Sequence, residues 1–263
     1  MTLTRNAPNL PAMFPIRDHN PSSCTPYVTY GLIVMNIFVF LAYWPLFAEP
    51  GALRQFFEAW AILPARITQG EGHVTLVTSM FLHGGLLHLA GNMLFLHIFG
   101  DNLEDEMGHW GFLGFYLVSG LAAGMGQVLA APYSSVPMVG ASGAIAGVMG
   151  GYLLLFPRAR VDVVFIFIIF FKILPLPAWM MLGVWFAIQL VSGAVADLSG
   201  GGVAYWAHAG GFAAGMALTL PVWLKRGGRD HWSKTQGAPT NPAATYRWGR
   251  TDIPTVRRKK RRR

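Results

Sequence analysis

The chain has 263 residues, of which 53% are hydrophobic and only 12% charged, and its mean hydropathy is +0.42. A soluble domain carries about 25% charged residues, so an ordinary water-bounded fold is excluded and lipid is the expected solvent. The net charge is +8, but thirteen of the twenty Lys and Arg residues lie between Lys225 and Arg263, so the basicity belongs to the tail.

Residues 1–26 form an N-terminal segment expected to be cytoplasmic. Met1 to Asn20 is polar and contains proline, with no apolar run suited to a signal peptide. The first span is therefore expected to direct insertion. A span needs about 20 apolar residues, and Tyr27 to Ala48 supplies it. A long connection with charges, prolines and glycines follows, from Glu49 to Leu82. The second span is expected from about Gly85 to Gly100, ended by the acidic turn DNLEDEMG.

Gly111 to Phe156 contains no Asp, Glu, Lys or Arg, each of which would cost roughly 2.5 to 3.5 kcal/mol at a bilayer centre. It is too long for one span, and PYSSVP at 132–137 supplies turn residues. Two spans are expected there, 111–131 and 142–156. Val163 to Phe171 is apolar but only nine residues long, too short to cross as a helix, and reads as an interfacial or re-entrant segment. A fifth span is expected from Ala178 to Ala196 and a sixth from Ala204 to Leu224.

The expected fold class is thus an all-α polytopic membrane protein, a six-helix membrane domain over 27–225 followed by a basic cytoplasmic tail over 226–263, expected to be disordered. An even number of spans puts both termini on one side. By the positive-inside rule, PRAR at 157–160 and the tail mark that side as cytoplasmic. The expected location is a bacterial cytoplasmic membrane, with the loops before Ser142 and His208 facing outward. RRKKRRR at 257–263 has the composition to bind nucleic acid or anionic lipid but reads as a solvated, disordered, positive-inside anchor, and no nucleic-acid partner is expected.

Chemistry concentrates at helix starts. The fourth span opens with GASGAIAG at 140–147, and Gly143 and Gly147 make a small-residue face on which Ser142 either packs or reacts. The sixth opens with AHAGGFAAG at 207–215, where Gly211 and Gly215 make a matching face. An ionisable group inside a span is a functional hypothesis by default. If the two glycine faces meet, His208 comes within hydrogen-bond reach of Ser142, as a nucleophile and its base require. From Ser142 to Phe156 is about 22 Å of helix against a core of about 30 Å, so the serine is sunken. Hydrolysis at that depth needs a water-filled cavity.

HGGLLHLAGN at 83–92 adds His88 and Asn92, four apart on one helix face. Both are suited to donate to a developing oxyanion. His83 lies just before that helix, at the cavity mouth. His83, His88 and His97 lack the HExxH spacing of a zinc site and have no carboxylate among them. His97 and His109 are assigned to the cytoplasmic end, without chemistry. Asp197 is the carboxylate nearest His208 in sequence, at the end of the fifth span, so a dyad is expected rather than a triad.

Together HGGLLHLAGN, DNLEDEMG…GFLGFYLVSG, GASGAIAG and AHAGGFAAG, in that order, resemble the rhomboid intramembrane serine proteases over about 27–225. The resemblance implies a six-helix core, a Ser142/His208 dyad and no cofactor. It also implies an oxyanion hole from the Ser142 N–H, His88 and Asn92, and transmembrane proteins as substrates. Gly140 and His83, with Gly143, Gly211 and Gly215, are supporting residues. Some members carry a tyrosine one turn after the serine, against which the histidine rests. This chain has Ala146 there, leaving Phe212 and Trp206 as candidates for orienting His208. The alternatives are an inactive relative that binds membrane proteins or serves quality control, and a transporter or channel. The first usually loses the serine or histidine, and the second lacks intramembrane carboxylates here. The sequence does not specify an oligomeric state.

Overall fold

The computed structural model describes residues 12–167, 170–196, 202–235 and 237. The basic run at 257–263 and Asp197 lie outside them. A strand, β1 (Ala12–Asp18), precedes α1 (Tyr27–Tyr43), which continues as a 3₁₀ turn to Ala48. The long connection is not featureless: it holds α2 (Pro50–Trp60), α3 (Pro64–Thr68) and α4 (Thr75–Thr78), the last running into a 3₁₀ turn at Ser79–Phe81. Then come α5 (Leu86–Met107), α6 (His109–Ala130), α7 (Ser142–Leu155), strands β2 (Arg160–Phe167) and β3 (Phe170–Pro177), α8 (Ala178–Val195), α9 (Tyr205–Lys225) and α10 (Arg229–Thr235).

The protein is a mostly helical membrane bundle. Helices α6, α8 and α9, and α1 with its 3₁₀ turn, are long and apolar enough to cross a bilayer, and α5 with the preceding 75–81 helical segment forms a fifth, sharply bent unit. Helix α7 has only fourteen residues and occupies the centre, with every residue from Gly143 to Tyr152 buried. Glycine makes this possible. A Cβ on Gly211 would sit inside the van der Waals shell of the Gly143 carbonyl, and one on Gly215 inside that of Gly147, so α7 and α9 meet backbone to backbone.

Two expectations need correction. The acidic run DNLEDEM does not end the second span in a turn, because α5 continues through it to Met107. Its carboxylates have a structural task. Glu104, fully buried, accepts the backbone N–H groups of Val28 (2.9 Å) and Thr29 (2.8 Å), and Asp105 accepts that of Ser23 (2.9 Å). Glu104 thereby satisfies unpaired donors in the first turn of α1, where the helix dipole favours an anion, and Asp105 holds the segment leading into it.

The segment Val163 to Phe171, expected as an interfacial or re-entrant stretch, is extended at its described residues 163–167 and 170–171, so strand structure joins the expected helices. Residues 160–167 and 170–177 form a hairpin, and β1 adds to it in an antiparallel sheet of order β1-β2-β3. Short runs of Val, Ile and Phe are ambiguous between strand and buried helix by periodicity alone; here the β-branched and aromatic content decides. Pro175 and Pro177 fall on the edge strand, where a missing N–H is tolerated.

The sheet gathers one end of the bundle. Asp162 of β2 takes hydrogen bonds from Arg17 (2.9 Å) and His19 (2.8 Å) of the N-terminal segment. Against the upward pull of burial, these partners hold its carboxyl below the usual range. Glu106 of α5 pairs with Arg226 after α9 (2.6 Å), and Trp232 of α10 donates to the Leu154 carbonyl (3.0 Å). The N-terminal segment, the 156–177 connection and the end of α9 therefore share one face.

Candidate active site

The opposite end of the bundle is hollow. A cavity of about 780 Å³ lies between α5, α6, α7 and the start of α9, and Ser142, His208, His88, Asn92 and Gly140 all line it.

Ser142 is the first residue of α7, so its backbone N–H has no acceptor within the helix, and the residue lines the cavity. His208 lies in the first turn of α9, its N–H bonded to the Ala204 carbonyl (3.1 Å). Because glycines let the two helices touch, Ser142 Oγ and His208 Nε2 stand 2.8 Å apart.

His88 is placed by α5 and by the bend before it. The Gly84 N–H donates to His88 Nδ1 (3.3 Å), so the proton of a neutral ring sits on Nε2. That nitrogen faces Gly140. Gly140 has a φ of +131°, and a Cβ there would lie 2.9 Å from His88 Nε2 and 3.3 Å from Ser142 Oγ. Glycine therefore both permits the turn and keeps open the gap between ring and serine. Its N–H is held by the Ser79 carbonyl (2.9 Å). Asn92, one turn after His88, is buried, and its Nδ2 has no hydrogen-bond partner among the described residues. A buried amide donor without an acceptor is costly, and this one borders the cavity.

His83 is fully buried with its ring 5.1 Å from that of His88, so it backs the site rather than forming an open mouth. Its backbone is clamped by Tyr43 of α1, whose hydroxyl accepts the His83 N–H (2.7 Å) and donates to the His83 carbonyl (2.8 Å). His97 stacks on Tyr30, and His109 hydrogen-bonds to Glu104, both away from the cavity.

Neither Phe212 nor Trp206 is the ring against His208. Phe212 stacks on Phe186 at 4.5 Å, and Trp206 packs by Gly193. The rings of Trp185 and His208 lie 5.8 Å apart and tilted by 36°, and Gln189 Oε1 lies 2.9 Å from His208 Nδ1. Both residues are on α8, four apart on one face. The available signal was Gln189 itself, an amide in the middle of an apolar span.

The arrangement provides a hydroxyl beside an imidazole nitrogen, in a cavity that a helix N-terminus, a histidine and an amide also line. Comparison with known proteins agrees in kind. A family model described as the Rhomboid domain matches residues 71–225, more than half of the chain. The chain is 30% identical over 200 residues to Rhomboid protein 1, mitochondrial, of Saccharomyces cerevisiae, covering 72% of this chain and 51% of that protein. It is 39% identical over 89 residues to RHOMBOID-like protein 6, mitochondrial, of Arabidopsis thaliana (34% and 28%). It is also 40% identical over 87 residues to Rhomboid protease GluP of Bacillus subtilis (33% and 16%). The chain thus spans about half or less of the length of these relatives. They come from plant, fungal and bacterial sources, two with mitochondrial names, so the comparisons do not support a bacterial cytoplasmic membrane in particular. The helical bundle and the match over 71–225 together place this chain in the rhomboid family.

Proposed function

We propose that the protein is an intramembrane serine endopeptidase that cleaves transmembrane helices of other membrane proteins. The 2.8 Å approach of Ser142 Oγ to His208 Nε2 in a cavity of the helical bundle carries this reading. Ser142 Oγ attacks the scissile carbonyl while His208 Nε2 takes its proton. The developing oxyanion is met by the Ser142 N–H, His88 Nε2–H and the Asn92 amide. The imidazolium then protonates the leaving amine, and water releases the acyl group by the reverse sequence. All six helices α1 and α5 to α9 cross the bilayer in this reading, α7 at its centre. A regular substrate helix hides its carbonyls in its own hydrogen bonds, so the scissile segment unwinds first. Helix-breaking Gly or Pro near the cut favours this.

The test is labelling by a fluorophosphonate in detergent. Labelling should be lost in Ser142→Ala and strongly slowed in His208→Ala, with both variants folded. Their cleavage of a transmembrane substrate should fall by roughly 10⁴-fold or more, and the double variant should lose little further. A well-folded wild-type protein that neither labels nor cleaves would instead support an inactive relative that binds membrane helices.

A further inference from the structure

Histidine acts as a base toward serine only if the nitrogen facing the hydroxyl carries no proton. In a neutral ring that is decided by what the other nitrogen binds. His208 Nε2 faces Ser142, and the partner of Nδ1 is Gln189 Oε1 at 2.9 Å. The orientation of the Gln189 amide follows from its second contact. Its nitrogen reaches the carbonyl of Trp185 one turn earlier, at 3.3 Å. A carbonyl can only accept, so the NH₂ must point there and the amide oxygen must point at His208. That oxygen has no proton to give, so Nδ1 must be the donor. The amide is itself buried, at 6% exposed, and the Trp185 ring covers the imidazole from the same helix face.

On this geometry we propose that Gln189 is a positioning residue that holds His208 in the tautomer with its proton on Nδ1, leaving Nε2 bare toward Ser142. The inference rests on the Ser142/His208 reading for its catalytic consequence, but the tautomer does not. A neutral amide here does the orienting that a third charged residue does elsewhere, without burying a carboxylate beside the base. His88 is the other titratable group near His208, and it is untouched by substitutions at 189.

Two variants of similar size separate the role from packing. Gln189→Met removes the acceptor, and Gln189→Glu keeps an acceptor at the same reach while adding negative charge. Nitrogen NMR of the ¹⁵N-histidine-labelled protein in detergent should show His208 with Nδ1 protonated in the wild type, and mixed tautomers in Gln189→Met. Fluorophosphonate labelling of Ser142 and kcat should fall in Gln189→Met by about 10- to 10²-fold, with KM little changed. Gln189→Glu should retain more activity than Gln189→Met, with the acid limb of its pH profile moved to higher pH because a carboxylate favours the imidazolium. An unchanged tautomer and labelling rate in Gln189→Met would overturn the proposal. So would a wild type with the proton on Nε2. A wild type that resists labelling while Gln189→Met still shifts the tautomer would support the hydrogen bond and sink the protease reading instead.

Discussion

The hydroxyl of Tyr152, in the last turn of α7, donates a 2.9 Å hydrogen bond to Asp18 of β1, tying the innermost helix to the sheet at the end opposite the cavity. Burial, and then the neighbouring Asp101 carboxylate, push the Asp18 pKa up from 3.8 to about 7. A carboxyl whose pKa is raised on folding favours the folded state when protonated. That contribution is full below the unfolded pKa and lost as pH rises through about 7. Hydrogen exchange at residues 12–18 should therefore quicken between about pH 6 and pH 8 beyond its intrinsic dependence. Asp18→Asn should flatten the effect. A β1 strand equally protected at both ends of that range would contradict it.

The contact of Gly215 with the Gly147 carbonyl involves backbone on both sides, so no side chain can move to make room. Gly215→Ala must push α9 from α7, and overpacking of this kind costs about 1 to 3 kcal/mol. The midpoint of thermal unfolding in detergent should drop by several degrees. Gly183→Ala on α8 is the control, since a Cβ there meets nothing within 4 Å. Equal midpoints for the two variants would mean that α7 and α9 are not held at backbone contact.

Much of this architecture was legible because lipid imposes long apolar runs. The starts expected for the third to sixth helices fall within two residues of those found, and glycine faces pointed to the α7–α9 contact. Three features escaped for physical reasons. The apolar run at 163–171 contributes to two of the three strands, β2 and β3, and periodicity alone does not tell such a run from a buried helix segment. The acidic run looked like a turn because carboxylates rarely continue a span, yet Glu104 is satisfied by donors from α1, a partner 75 residues away. Trp185 and Gln189 reach His208 from a different helix, and spacing within one helix does not report contacts between two. Ala146 carries no ring, so the missing tyrosine signalled that another residue faces His208 without saying from where.

The sheet end and the cavity end should lie on opposite sides of the bilayer. Val203, just before α9, and Lys234, on α10, are both exposed and sit at those two ends. In a Cys24→Ala background, Val203→Cys should react with a membrane-impermeant thiol reagent in intact cells and Lys234→Cys should not. This follows because Arg158, Arg160, Lys172 and Lys225 share the Lys234 end and the positive end stays inside. The opposite pattern would invert the orientation, and labelling of both residues would break the even number of crossings.

Asn92 offers the sharpest separation of binding from chemistry. Its amide nitrogen borders the cavity and has no protein acceptor among the described residues, so it is free to donate to a substrate oxygen that becomes charged during attack. Such a donor acts on the transition state far more than on the bound substrate. Asn92→Ala should lower kcat by about 10²- to 10³-fold with a small change in KM. Asn92→Asp keeps the size but replaces the donor with a negative charge facing the oxyanion, and should be at least as damaging. His88→Ala should produce a loss of the same kind, because His88 Nε2–H faces the serine from the same helix. If Asn92→Ala and His88→Ala both turn over substrate at the wild-type rate, the oxyanion forms elsewhere. A large rise in KM with kcat preserved would instead assign Asn92 to substrate binding.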